Sequence, residues 1–286
     1  MRIIVCIKQT GYICHPIAID RKGGEIDHEK IVYMINPCDE AAMEEAIRIK
    51  QRFPGAEVIA LTLGPPRAEE ALRYAFAFGA DKMIHVIGES PDSLSTATVL
   101  AKVIEGLDFD IILCGKKSID SNAGMAGSFL AELLDIGHTT GIVKLDVFPE
   151  KGRAIVERSI GRGDREQVEC ALPALFTVER GINDPRYPTL PNRLRGGKEV
   201  IEHIEMASLN IRFNIESGLG GSISLSPPRP KPKKVFTPDS RLSASERKRL
   251  IMSGGGKTAK KGELIEGNPD EVAKIIIDVL VREKIV

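Results

Sequence analysis

The sequence predicts an α/β protein built on a parallel sheet, with an antiparallel hairpin extension and a C-terminal arm that ends in a helix. Three observations lead there. Short apolar runs rich in β-branched residues recur at 2–7 (RIIVCI), 57–63 (EVIALTL), 82–87 (KMIHVI) and 109–114 (FDIILC), the pattern of parallel strands buried on both faces. Segments with helical spacing lie between them, and such alternation makes a parallel sheet with right-handed crossovers. Beyond about residue 140 the pattern changes to strand-like segments at 142–148, 153–160 and 166–172 separated by turn signals, which predicts an antiparallel edge or hairpin.

In chain order, Asn36-Pro37-Cys38-Asp39 opens the first helix with an N-cap, a proline at the first position and acid in the first turn, and Phe53-Pro54-Gly55 closes it. Ala68–Phe78 and Leu94–Ile104 read as two more helices. Residues 180–198 carry so many prolines and glycines that regular structure is expected to stop there, and a long irregular segment in a folded domain is usually functional or disordered. The stretch SLSPPRPKPKKVFTPDSR is a basic, proline-rich connector with an extended bias. Asn268-Pro269-Asp270-Glu271 then caps a terminal helix whose Val272, Ile275, Ile276, Val279 and Leu280 share one face. The expected organisation is a domain over 1–198 and an arm over 199–286.

Among the 286 residues, 40 Lys+Arg balance 40 Asp+Glu, which leaves no overall field for DNA or RNA. The balance is uneven along the chain: residues 226–286 hold 14 basic and 8 acidic residues, so a sheet region of −6 precedes an arm of +6. The five cysteines, Cys6, Cys14, Cys38, Cys114 and Cys170, are scattered without C-x-x-C spacing and predict a reduced compartment. MRIIVCIKQT reads as neither a signal nor a transit peptide, and no run of apolar residues is long enough to span a membrane. A cytoplasmic protein is expected.

The most informative stretch is IILCGKKSIDSNAGMAGSFLAELL, residues 111–134. It reads as a buried strand, a loop of small residues through Ser121, Asn122 and Gly124, and a helix; such a turn lets a phosphate approach free backbone N–H groups at the positive end of the helix dipole. An ordinary capped strand-loop-helix link is the alternative, and Asp120 would cap the helix or bind a ribose hydroxyl. The loop Lys8–Gly11 and the turn at 36–39 belong to the same carboxyl edge of the sheet, where nucleotides sit in open α/β sheets, although capping accounts for Asn36 and Asp39 as well. SGGGKT at 253–258 lacks the earlier glycine, the strand and the helix of a P-loop and reads as a flexible turn. His15, His28, His85, His138 and His203 show no metal-ligand spacing. Glu44-Glu45 reads as a solvated helix face. No catalytic constellation is present.

Taken together, IIVCIKQT, INPCDEAAMEEAIRIK, EVIALTLGP, EEALRYAFAFGAD, CGKKSID and LPALFTVERGINDPRYPTLPN resemble the β subunit of electron transfer flavoproteins over about residues 1–198. The resemblance implies a Rossmann-like, adenine nucleotide alpha hydrolase-like domain in a heterodimer whose α subunit holds a redox FAD, the β subunit binding AMP or a second FAD. It implies acyl-CoA dehydrogenase-type donors, as in fatty acid β-oxidation, and a quinone oxidoreductase acceptor. The nucleotide positions it transfers are Cys6; Asn36, Pro37, Cys38 and Asp39; Leu63; Gly115, Lys116, Lys117, Ser118, Ile119 and Asp120; and Ser121, Asn122, Ala123, Gly124, Met125 and Ala126. It makes 180–198 a recognition loop that inserts Leu190 into a pocket of the dehydrogenase, with Arg186, Arg193 and Arg195 steering an acidic partner. The arm would pack on the α subunit.

Two departures stand out. Residues 121–126 (SNAGMA) offer few side-chain ligands, which shifts phosphate binding to backbone amides and Ser121. The stretch Arg158–Glu166 (RSIGRGDRE) adds arginines, which keeps FAD open, whereas the missing D-G-D-T type loop favours AMP. An adenine-nucleotide hydrolase or ATP-pyrophosphatase would need an S-G-G-x-D-S loop where this chain has Lys8-Gln9-Thr10-Gly11. A universal-stress-type nucleotide sensor accounts for the sheet but not for the 180–198 segment or the arm.

Overall fold

Ile3, Ile4 and Val5 are wholly buried although successive side chains of β1 (Arg2–Cys6) point to opposite faces, the condition that a central parallel strand imposes. The computed structural model describes residues 1–12, 31–90, 92–211, 238–252 and 267–282. The basic connector up to residue 237, the 253–258 turn, Cys14, His15 and His28 lie outside the described residues.

After β1 come an antiparallel ribbon of β2 (Gln9–Tyr12) and β3 (Val32–Ile35), then α1 (Pro37–Arg52), β4 (Glu57–Gly64), α2 (Glu69–Phe78), β5 (Lys82–Ile87), α3 (Ser93–Ile104), β6 (Ile111–Gly115) and α4 (Ala126–Leu133). The unit continues with β7 (Gly137–Phe148), β8 (Arg153–Gly161), β9 (Asp164–Ala171), β10 (Ala174–Val178), α5 (Leu190–Gly196) and β11 (Glu202–Glu205). The chain divides into units Met1–Pro227 and Pro228–Val286, the second containing α6 (Ala244–Met252) and α7 (Pro269–Arg282).

The nine-stranded sheet runs β11-β5-β4-β1-β6-β10-β7-β8-β9. Every pairing from β11 to β7 is parallel, and β7-β8 and β8-β9 are antiparallel, so the expected parallel sheet with an antiparallel extension is present. From β1 the chain steps outward to β4 and β5, and α3 then carries it back to β6 on the other side of β1. The strand order therefore reverses between β1 and β6, opening a crevice at their carboxyl ends. On one face of the sheet α1 and α2 bury Ala42, Met43, Ala46, Leu72 and Ala75 against Ile3, Val5 and Phe176. On the other, α3 and α4 bury Ala97, Leu100, Ile104 and Leu130 against Ile4, Ile59 and Ile112. Helix ends follow local chemistry: Asp92 Oδ1 accepts the Ser95 N–H at 2.8 Å at the start of α3, and Gly79 ends α2 at a φ of 129° that a Cβ would strain.

Several expectations need correction. Residues 190–196 form a helix: Pro191 sits in its first turn, where a missing N–H costs nothing, so the proline read as a breaker is a starter. The Lys8–Gly11 loop is largely strand β2. β10, fully buried along its length, lies inside the sheet and pairs in parallel with β7, whose second half turns to pair with β8 through an irregularity between Ile142 and Lys144. β11 adds a further edge strand on β5. Among the described residues no helix is long and apolar enough to cross a membrane.

Phe176 is among the largest wholly buried side chains. Phe176→Ala is expected to cost about 3–5 kcal/mol in guanidinium unfolding, while Ile160→Ser, at an exposed position, changes stability by no more than about 0.5 kcal/mol.

Candidate functional site

The crevice between β1 and β6 is closed by the first turn of α1. Asp39, buried there, accepts the Lys8 N–H on Oδ2 at 2.8 Å and the Gly115 N–H on Oδ1 at 2.9 Å. One carboxylate thus ties the ends of both strands to one helix. The approach is so close that a Cβ on Gly115 would lie 2.1 Å from Asp39 Oδ1 and 2.7 Å from Cys38 Cβ, and only glycine fits. Burial pushes the Asp39 carboxyl up to about 7, against the pull of Asn36, the Lys8 and Gly115 amides and the Lys8 charge.

Asn36, also buried, precedes α1 but its side chain does not cap it. It donates to the Lys117 carbonyl at 3.0 Å and accepts the Ile119 N–H at 3.2 Å, fastening the loop after β6. That loop is further ordered by an ion pair of Asp120 with Lys8 Nζ at 2.7 Å, by Asp120 Oδ1 accepting the Ser121 N–H at 2.6 Å, and by Ser118 and Ser121 hydroxyls 2.9 Å apart. Asp120 therefore orders its own turn and does not cap α4. Asn122 and Gly124 turn the chain with φ of 52° and 67°, and residues 119–125 are exposed.

No side chain caps α4, so its first amides face the loop without a competing acceptor. Gly127 lets α4 press onto the sheet, since a Cβ there would meet Thr177 Cγ2 at 2.6 Å. The first amides of α4 and the Ser118 and Ser121 hydroxyls lie on one loop at this edge, and Lys117 belongs to the same loop. This donor set suits an anionic phosphate. Lys116 is ion-paired with Glu179. Cys6 and Cys114 are buried neighbours across β1 and β6, and burial pushes the Cys6 thiol up to about 12; Cys6, Cys38, Cys114 and Cys170 are free thiols. Leu63 is half-buried at the end of β4, and Met125 is exposed. The arginines of the β8-β9 hairpin lie level with this edge, since Gly115, Val178, Ile142 and Arg158 are in register, but β8 is three strands from β6, roughly 14 Å at normal strand spacing, and Arg158 and Arg165 pair with Glu166 and Glu157.

The same helix organises the 180–198 segment. Glu44 and Glu45 are buried, which corrects their reading as a solvated face. Glu44 takes a two-pronged bond from Arg186, with Nε–Oε2 and Nη2–Oε1 both at 2.8 Å. Burial pushes the Glu44 carboxyl up, but hydrogen bonds from Arg186 and Arg48 outweigh it and hold the group below the usual carboxylate range. Asn183 donates to Glu45 Oε2 and to the Ala41 carbonyl, both at 3.0 Å. Arg186 is thereby an anchor of the segment within this chain. Beyond it, Leu190 is 68% exposed at the start of α5, with Tyr187 and Leu194 exposed beside it and Arg193 and Arg195 on the same helix. α5 docks on α2 through Gly196, whose carbonyl accepts from Arg73 Nη1 at 2.7 Å. Tyr187 and Leu194 escaped the sequence reading; for Leu194 the signal was its i, i+4 spacing from Leu190 in a segment read as irregular. On α7 the predicted face is present, with Ile275, Ile276 and Val279 exposed.

An electron transfer flavoprotein domain model matches residues 24–209. The chain is 32% identical over 287 residues to the electron transfer flavoprotein subunit beta of Bacillus subtilis (strain 168), covering 99% of this chain and 98% of that one. It is 31% identical to the same subunit from Thermoanaerobacterium thermosaccharolyticum, covering 97% of each, and 36% identical over 218 residues to that of Homo sapiens, covering 74% of this chain and 84% of the human one.

Because Asp39 holds its proton up to about pH 7 when folded but only to about 3.9 when unfolded, the native state binds more protons between those values and its stability falls as pH rises through them. Relative to Asp39→Asn, which does not titrate, the wild type should lose stability from pH 5 to pH 8 in denaturant titrations. A pH-independent difference would contradict the assignment.

Proposed function

The chain belongs to the electron transfer flavoprotein family as a β-type subunit, and from that premise we propose that it is the nucleotide-binding, partner-presenting half of a two-subunit electron carrier. In this reading the α subunit holds the redox FAD, which supplies the electron-accepting and electron-donating chemistry when bound. This chain holds AMP at the β1-β6 crevice. The observation that carries the proposal is the uncapped start of α4 facing an exposed loop whose base is fastened by Asp39 and Asn36.

The roles follow from chemistry. The first amides of α4 and the Ser121 hydroxyl bind the phosphate, favoured by the helix dipole. Lys117 neutralises its charge. Asp39 and Asn36 set the distance between the strand ends and so the width of the cleft. AMP is favoured over a second FAD because Arg158 and Arg165 are already paired with Glu166 and Glu157, on strands set sideways from β6. On the other side of α1, the segment anchored by Glu44 and Glu45 presents Leu190 to an acyl-CoA dehydrogenase-type donor. An apolar anchor on a braced segment loses little entropy on docking, while Arg193 and Arg195 steer an acidic surface. The apolar face of α7 packs on the α subunit, and electrons leave toward a quinone oxidoreductase.

Co-expression with an α subunit should give a yellow heterodimer, whereas the chain alone should show no flavin spectrum. Acid release and mass determination should identify one AMP per heterodimer alongside one FAD. Two FAD and no AMP would replace the AMP assignment, and no adenine nucleotide beyond one FAD would overturn the β1-β6 site. Leu190→Ala should slow electron transfer from the donor at least about tenfold with flavin content unchanged; loss of flavin would make α5 structural instead.

A further inference from the structure

His85 lies in the middle of β5 and is wholly buried. Its Nε2 is 3.1 Å from the Gly64 carbonyl oxygen, while Nδ1 has no hydrogen-bond partner. A carbonyl only accepts, so Nε2 carries the proton and Nδ1 presents a bare lone pair. A buried polar atom without a partner calls for an explanation.

The sheet supplies one. Parallel register sets His203 of β11 directly opposite His85, with ring centroids 5.7 Å apart. Glu69, the first residue of α2, brings Oε2 to 3.5 Å from His203 Nε2. Its other oxygen, Oε1, is held by Arg73 Nε at 2.9 Å, which fixes the carboxylate with Oε2 toward the histidines. One ligand atom from each of Glu69, His85 and His203 lies within 4.8 Å of the others. A tetrahedral zinc ion with bonds of about 2.0–2.1 Å separates its ligands by about 3.4 Å, so small side-chain rotations suffice.

We propose that Glu69, His85 and His203 hold a divalent transition-metal ion of the zinc class, with the fourth position taken by water. Two imidazoles and one carboxylate suit zinc and its neighbours rather than calcium or magnesium, which take oxygen ligands. The hydrogen bond from His85 Nε2 to a backbone carbonyl is the support that metal-bound histidines generally have. Exposed His203 gives the ion its entry, and the ion ties edge strand β11 and helix α2 to β5. The sequence spacing of the histidines carries no sign of this site, because strand pairing alone brings them together.

The test uses the full chain purified with its partner subunit and stripped with EDTA. Zn²⁺ is titrated by calorimetry and Co²⁺ by visible absorption, with His203→Ala and Glu69→Gln as site variants and exposed His138→Ala as the control. His203 is chosen over buried His85 because its loss leaves the core intact. Wild type and His138→Ala should bind one ion per chain and gain Tm with Zn²⁺, and His203→Ala and Glu69→Gln should bind more than about tenfold more weakly with no gain in Tm. Absent saturable binding, or equal binding by the site variants, overturns the proposal. Either failure leaves the nucleotide reading untouched, since the two sites share no residue.

Discussion

Asp39 joins three elements that the chain keeps far apart. From the first turn of α1 its two oxygens reach the amide after β1 and the amide at the end of β6, and the crevice between those strands is where the topology reverses. Both oxygens of one buried side chain are held by backbone N–H groups, and the glycine opposite leaves no room for a side chain there. Every other feature of the edge depends on this spacing: Asn36 fastens the following loop, the loop delivers the chain to α4, and α4 starts with its amides open.

The same helix carries a second task on its next turn. Glu44 and Glu45 hold Arg186 and Asn183, so the segment bearing Leu190 is braced against α1 rather than draped over the sheet. A buried carboxylate that has its arginine is stable, and one that loses it is left uncompensated. This makes the pair a sensitive control on the segment's position. α1 is thus the element common to the β1-β6 edge and the segment bearing Leu190, though no residue serves both.

The central strands and the helices between them were legible because burial on both faces leaves uninterrupted apolar runs, and because caps and breakers mark the helix ends. What stayed hidden has physical reasons. β11 (EHIE) is a polar edge strand with no periodicity to betray it. α5 hid behind prolines that serve as helix starters. β10 was obscured by the strand-like residues just before it. For Asp39, Asn36, Glu44 and Glu45 the residue types were visible, but their partners lie 31 to 142 residues away, and only the fold shows that they clamp rather than cap or face water. Strand and helix logic together with family resemblance grouped Lys8, Asn36, Asp39 and the loop after β6, and the hydrogen bonds of Asp39 and Asn36 do join these segments.

Hydrogen–deuterium exchange on the heterodimer, compared before and after removal of the adenine nucleotide proposed for the β1-β6 crevice, tests the central claim most directly. The account predicts that removal speeds exchange of the amides over 116–128, with the Gly115 and Lys8 amides, held by Asp39, changing least. Unchanged exchange across 116–128, with the effect confined to another part of the chain, would contradict it.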